Sequence, residues 1–415
     1  MSDNTKVSLI IVSRDRPKLL RRLLISLRYV QYQNFDVTVV SDKDPRQLFS
    51  DIHGIERISF VKFDQANIST ARNLGIANSR GDIVAFCDDD AVPEPSWLSH
   101  LIPPFADKQI AAAGGYVRGR NGISFQWMGR EFDFLGNHFE LKIDNKQPKT
   151  FIAKTGYGIK TEGTNCAFRR SEIEKIGGFD ESFRYYLDET DLNARFAKAG
   201  LKTAIVPLAQ VHHGYAASKL RGTNRAPRSL SEIGASQARF LKKHGQGFDI
   251  KKALFDFQQV QRKRLISYMV QGLLEPSDVT RLMNELCDGM RDGSQRTVNA
   301  ETTVNNTHAG QFISFHKAPP GKYAEPISCR SFGWRKAQQR ALKIAERGAC
   351  LTVFRFSLSS WYHRMQFVSD GYWVQQGGLF GRAKRTDRVF EFHTLKSRIR
   401  KEIARLTEVR PMDVP

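Results

Sequence analysis

Long apolar runs are missing from this chain. Nothing approaches the roughly 18 consecutive apolar residues that would cross a bilayer as a helix. The first residues lead straight into a strand-like segment, without the charged-then-apolar pattern of a secretory leader. Cysteine is scarce as well. The five present (Cys87, Cys166, Cys287, Cys329, Cys350) are odd in number, scattered and without metal-ligand spacing. That pattern argues against a disulfide framework and a thiolate metal centre, and for a reducing compartment. The expectation is a cytoplasmic protein. A glycine-rich phosphate loop is lacking too, which excludes a P-loop enzyme and a dinucleotide-binding fold of the GxGxxG type.

Acidic residues are the minority charge. Against 43 Asp and Glu stand 64 Lys and Arg, a net charge of +21. Such an excess attracts anionic partners: nucleic acid, anionic lipid headgroups or acidic polymer. It is uneven, with 12 Lys/Arg against 3 Asp/Glu over residues 212–264, and 10 against 4 over 382–410. The two acid-rich motifs both lie before position 195. The arrangement suggests a catalytic head joined to an electrostatic docking surface. At 415 residues, with 40% apolar and 26% charged content, the chain is a globular protein too long for one core.

What is present in the first half is an alternation of strands and helices. Residues 7–12 form an apolar, β-branched run ending at Ser13-Arg14-Asp15-Arg16-Pro17. Residues 18–30 carry Leu19, Leu20, Leu23, Leu24 and Leu27 at helical spacing, with Pro17 in the first turn and Ser13 or Asp15 as cap. Strands follow at 36–40 and 58–61, a helix at 68–78, and a buried strand at 83–87. That last strand ends abruptly in Asp88-Asp89-Asp90. Alternation of this kind predicts a doubly wound, mainly parallel sheet. Polar residues gather at the carboxyl ends of its strands, at Ser13/Arg14, Asp42 and Asp88/Asp90, where a nucleotide would lie. Asp88 and Asp90, two residues apart, can both reach one hard divalent ion.

Six motifs in order resemble glycosyltransferase family 2. They are Ser13-Arg14-Asp15-Arg16 with Asp42, Ala71-Arg72-Asn73-Leu74-Gly75, Gly81-Asp82-Ile83-Val84-Ala85-Phe86 running into the Asp triplet, Gly163-Thr164-Asn165-Cys166, Gly177-Gly178-Phe179-Asp180, and Leu187-Asp188-Glu189-Thr190-Asp191. The resemblance covers about residues 6–215 and implies the GT-A fold. It implies a metal-dependent, inverting transfer of a sugar from a nucleoside diphosphate sugar to a glycan or lipid-linked acceptor. In that reading Asp88 and Asp90 hold Mn²⁺ or Mg²⁺, and Asp89 points to the sugar or ribose. Ser13, Arg14, Asp42 and Asn67 hold the nucleotide, and Arg72 fixes the loop before the triplet or approaches the nucleotide. The acidic motif supplies the base that takes the acceptor proton. Relatives carry Glu-Asp there and this chain carries Asp188-Glu189, so both are candidates, with Glu189 preferred. Asp191 is expected to cap or orient the helix that follows. A histidine after the motif would complete the metal shell; His212 and His213 alternate on a strand, so only one can. A basic segment with Lys219, Arg221, Arg225 and Arg228 could close over the donor as a lid. The alternative is a non-catalytic glycan- or membrane-binding protein on the same scaffold.

The organisation expected is a GT-A domain over 1–245, a helical segment and polar linker over 246–310, and a small α+β module over 311–415. The linker holds an Asn305-Asn306-Thr307 triplet. In the module a helix at 332–348, a half-buried strand at 351–358, a hairpin over 361–374 and a basic terminal helix at 396–406 are read from pattern. Trp361, Tyr362, Trp373 and Phe380 could stack on sugars or belong to the core. The terminal helix could lie on an anionic membrane. Nucleic acid as a partner rests on charge alone and is disfavoured.

Overall fold

Val7–Ser13 is a strand because its β-branched and aliphatic side chains fill both faces of a buried layer, and six of its seven residues are buried. The computed structural model of the chain describes residues 5–144, 146–214, 216–297, 311–318 and 321–412. This strand pairs in parallel with Phe35–Ser41 on one side and Ile83–Phe86 on the other. Across the main sheet the order is Lys149–Phe151, Lys202–His213, Ile110–Arg118, Cys166–Arg169, Ile83–Phe86, Val7–Ser13, Phe35–Ser41, Ser59–Lys62. Cys166–Arg169 runs antiparallel to both its neighbours. This is the doubly wound, mainly parallel sheet that the alternation of strands and helices predicts. The strand and helix positions read from the sequence hold to within a few residues.

The helix Pro17–Leu27 lays Leu20, Leu23, Leu24 and Leu27 fully into the core. Each such burial is worth about 1.5–3 kcal/mol. Its cap is Arg16, and no side chain caps it. Ser13 and Asp15 are used elsewhere, on Asp89 and Lys219. On the other face, Ile68–Ala77 packs so closely that a Cβ on Gly75 would sit 2.4 Å from Ile10. Only glycine lets that helix lie this near the strand.

Beyond the sheet, Ser231–His244, Ile250–Val270 and Pro276–Gln295 form a helical layer. The polar linker expected around 291–308 begins inside the last of these helices. Its remainder from 298, with the Asn305 triplet, lies outside the described residues. The C-terminal module is a four-stranded sheet in the order Ile327–Arg330, Thr352–Ser357, Trp373–Gly378, Arg364–Phe367, carrying helices Trp334–Glu346 and Leu395–Leu406. Thr352–Ser357 is central and buried on both faces rather than half-buried. The hairpin forms as read, turning at Gly371 with φ 87°. The module does not stand apart. Its core, with Phe354, Phe356, Met365 and Trp373, is continuous with Tyr29, Val92 and Ile123 of the first half. No helix among the described residues is long and apolar enough to cross a membrane.

Candidate active site

The acidic end of Ile83–Phe86 meets the end of Lys202–His213 at the carboxyl edge of the sheet. The short strand Ala91–Pro93 pairs with residues 211–213, which sets His213 opposite Ala91. There His213 Nε2 lies 3.1 Å from Asp90 Oδ1. The second carboxylate oxygen of Asp90 accepts the Ala216 amide at 2.7 Å. Burial works to raise the Asp90 pKa, but His213 and the Ala216 amide outweigh it and hold the group below the usual carboxylate range. Asp88 keeps about a third of its side chain exposed. One ligand atom from each of Asp88, Asp90 and His213 falls within 4.8 Å of the others. Two carboxylates and an imidazole make a donor set that suits Mn²⁺ or Mg²⁺.

The two histidines do point to opposite faces. His212 turns into the protein, 2.7 Å from Glu94 and packed on the Trp373 ring at 4.6 Å. Burial lowers its pKa to about 4. It is not placed to join Asp88 and Asp90, so of the two histidines named as metal ligands only His213 is near them.

Asp89 stands apart from the cluster of Asp88, Asp90 and His213. It is buried, accepts Ser13 Oγ at 2.8 Å and Arg16 Nη1 at 2.9 Å. Asp89 lies in the turn after the strand, and its side chain faces the first strand and the cap of its helix. The Ser13 hydroxyl, expected on the nucleotide, is thereby spent on Asp89. Asn67 is likewise engaged: it caps the Ile68–Ala77 helix through Thr70 and donates to the Glu181 carbonyl. Arg14 and Asp42 remain part-exposed at the sheet edge, Arg14 pairing with Asp64 at 3.0 Å.

Arg72 joins the two acidic motifs. Its guanidinium is buried, lies 3.6 Å from Asp88, pairs closely with Asp188, and faces the Phe179 ring at 5.2 Å. Burial would lower its pKa, but Asp188 and Asp88 raise it, so the charge is held. Asp188 and Glu189 open the helix Asp188–Lys198, after Tyr186 and Leu187 at φ 71° and 63°. Two consecutive left-handed residues without glycine are strained. That turn aims the acids back toward the triplet.

Glu189 accepts Lys160 Nζ at 2.9 Å, and Lys160 also lies 3.8 Å from Glu162. Burial favours a higher Glu189 pKa, but Lys160 overrides it and brings it down to about 2. Asp191 is no simple cap: it is buried within the first turn and held by Arg195, Lys243 and His244. Lys160 and Glu162 were missed from the sequence. Their one signal is proximity to Gly163-Thr164-Asn165, of which Asn165 accepts the Trp97 indole and donates to the Tyr116 and Ala209 carbonyls.

The basic segment stands beside this edge, with Lys219 3.1 Å from Asp15 and Arg120 donating to the Thr223 carbonyl.

The Glycosyl transferase family 2 model matches residues 8–177. The chain is 27% identical over 216 residues to the pre-mycofactocin glycosyltransferase of Mycobacterium tuberculosis (strain ATCC 25618 / H37Rv), covering 50% of this chain and 43% of that protein. It is 32% identical over 161 residues to the succinoglycan biosynthesis protein ExoM of Rhizobium meliloti (strain 1021), covering 37% and 47%. Among solved structures it is similar to S. aureus TarS 1-349 in complex with UDP-GlcNAc, with a TM-score of 0.47 at 14% identity, covering 69% of this chain and 81% of that one. The chain spans less than half the length of the two curated relatives.

Proposed function

With residues 8–177 identified as a glycosyl transferase family 2 segment, we propose that the protein moves a sugar from a nucleoside diphosphate sugar to an acceptor hydroxyl. The acceptor in this reading is a cell-surface glycan or its lipid-linked precursor. The observation that carries it is the meeting of Asp88, Asp90 and His213 on one side of Arg72 with Asp188 and Glu189 on the other.

Asp88, Asp90 and His213 would hold a divalent cation, which when bound offsets the charge of the donor diphosphate. Arg72 keeps both acidic motifs in register and adds a fixed positive charge between them. Asp188 is nearly closed off by Arg72, whereas Glu189 keeps more of its side chain accessible, 13% against 6%. Glu189 is therefore the group to accept the acceptor proton. Lys160 holds it ionised and oriented until the hydroxyl arrives. Arg14 and Asp42 remain for the nucleotide, and the basic segment from Lys219 can close on the diphosphate.

One observation favours the non-catalytic alternative: both motif acids already sit in ion pairs. Thermal-shift screening of nucleoside diphosphates with and without Mn²⁺, followed by donor hydrolysis over a panel of nucleotide sugars, separates the two. Glu189→Gln should bind donor as the parent does and lose about 10²–10⁴ in turnover. Full turnover in that variant would place the base elsewhere.

A further inference from the structure

The C-terminal module leaves a group of large apolar side chains uncovered. Trp361 is 74% and Phe392 77% exposed, with Leu358, Tyr362, Val389 and Phe390 also exposed. They come from three segments tied together by backbone bonds. Gly378 donates to the Trp361 carbonyl, Phe380 to Ser359, and Glu391 to Phe380. Phe380 stacks on Phe392 at 5.5 Å and meets Phe390 at 5.4 Å. The group is thus one contiguous patch, and a patch of this kind marks an interaction surface.

The charges around it select the partner. Lys384, Arg385 and Arg388 are exposed within the same loop, and Arg382 lies over the Tyr362 ring at 5.2 Å. The two nearby carboxylates are occupied: Asp387 accepts the Ala383 and Lys384 amides, and Glu391 pairs with Lys401. A sugar-binding face needs free carboxylates or amides beside its rings, but Asn121, next to Tyr362, already accepts the Ile123 and Ser124 amides, and aliphatic Leu358 and Val389 contribute nothing to ring stacking. Aromatic and aliphatic tips rimmed by lysine and arginine match the boundary between headgroups and acyl chains of an anionic bilayer.

We propose that the edge built from residues 358–362, 380–382 and 388–392 docks the protein onto an anionic phospholipid membrane. Trp361, Phe390 and Phe392 enter the headgroup layer, and Lys384, Arg385 and Arg388 meet lipid phosphates. The surface is linked to the basic segment that stands beside the candidate active site. The Tyr362 hydroxyl lies 3.3 Å from both Asn121 and Ser124, and Arg120 of the same turn reaches Thr223 in the basic segment. Docking this edge would bring the mouth of the site to the membrane plane, where a lipid-linked acceptor is presented. Only that last step rests on the transferase reading; the membrane contact does not.

The test is sedimentation of the full chain with sucrose-loaded vesicles, without nucleotide, using phosphatidylcholine alone or mixed with phosphatidylglycerol. Binding to the mixed vesicles, weakening with salt, is expected. Replacing Trp361, Phe390 and Phe392 together by Ser should lower it roughly tenfold or more, and so should Lys384→Glu with Arg385→Glu and Arg388→Glu. Both variants change exposed side chains and should keep the parental melting temperature. Failure of the parent to bind mixed vesicles overturns the proposal, as does parental binding by both variants. Tryptophan quenching by soluble oligosaccharide with no vesicle binding would make the patch a glycan surface instead. Donor hydrolysis, measured separately, reports on the transferase reading alone.

Discussion

Asp36 is a carboxylate poorly matched to its surroundings, with one oxygen lacking a hydrogen-bond partner. It is buried in the sheet, and burial pushes its pKa up to about 6 from 3.8 despite help from the Ser8 hydroxyl, Arg170 and its own backbone amide. An acid whose folded pKa lies above its unfolded value destabilises the fold once ionised. The cost is nil below about pH 3.8 and complete above 6. Asp36→Asn should therefore raise stability at pH 7.5 by up to about 3 kcal/mol and leave it unchanged near pH 3.5, as read by urea unfolding. Equal stability of the two proteins at pH 7.5 would refute this. Lys160 acts in the opposite sense on Glu189. Removing it in Lys160→Met should let the Glu189 pKa rise from about 2, so the acidic limb of the kcat/KM profile moves to higher pH. An unmoved limb would mean that Glu189 is not the titrating base. At this scale the sequence showed most where charge density was abrupt. Three adjacent aspartates after an apolar strand stand out, whereas Lys160 is one lysine among many, and its partner lies 29 residues away. Strand alternation told that one histidine of the pair faces Asp90, but not which, because either register satisfies the period.

Strands and helices of the first half were legible because short unbroken apolar, β-branched runs alternate with segments of helical apolar period. What the period cannot show is how two helices meet. Ser231–His244 and Pro276–Gln295 approach so closely that a Cβ on Gly289 would lie 1.9 Å from the Ser231 carbonyl, and one on Gly293 2.0 Å from that of Ala235. In a polar helix, two glycines four apart read as weak points of helicity; here they are the contact surface. The contact also matters for the site. The Ser231–His244 helix carries Lys243 and His244, which hold Asp191, three residues after Asp188 in the helix that presents Glu189. Gly289→Ala improves helix propensity by about 1 kcal/mol. It should nevertheless destabilise the protein by about 1–3 kcal/mol, since the added methyl meets backbone that cannot rotate aside. A raised melting temperature in Gly289→Ala would mean the helices can part without loss.

Besides their continuous apolar core, the two halves are tied by a buried ion pair. Arg410 donates to Glu94 through two nitrogens at 2.9 and 2.7 Å, lies 3.7 Å over the Trp373 ring, and reaches Thr352. The partners are 316 residues apart, which is why no local pattern exposed them. Nor do the family motifs read from the sequence extend past about residue 215, so the packing of the C-terminal module was out of their reach. Glu94 stands four residues after Asp90 and also takes His212, whose neighbour His213 meets Asp90. The C-terminal segment thus braces the strand pair from which the candidate cation site is built. Burial would raise the Glu94 pKa, but Arg410 and His212 hold it well below 4.5. A depressed acid of this kind adds stability above pH 4.5 that is lost as pH falls further. Arg410→Met strands the Glu94 charge and should cost about 3–5 kcal/mol at pH 7. The deficit should narrow as pH drops below 4.5, and adding Glu94→Gln should recover part of it. The Mn²⁺-dependent thermal shift should weaken in Arg410→Met, although Asp88, Asp90 and His213 are untouched. Were Arg410→Met to melt like the parent and keep that shift, the C-terminal module would be a passenger on the first half rather than its brace.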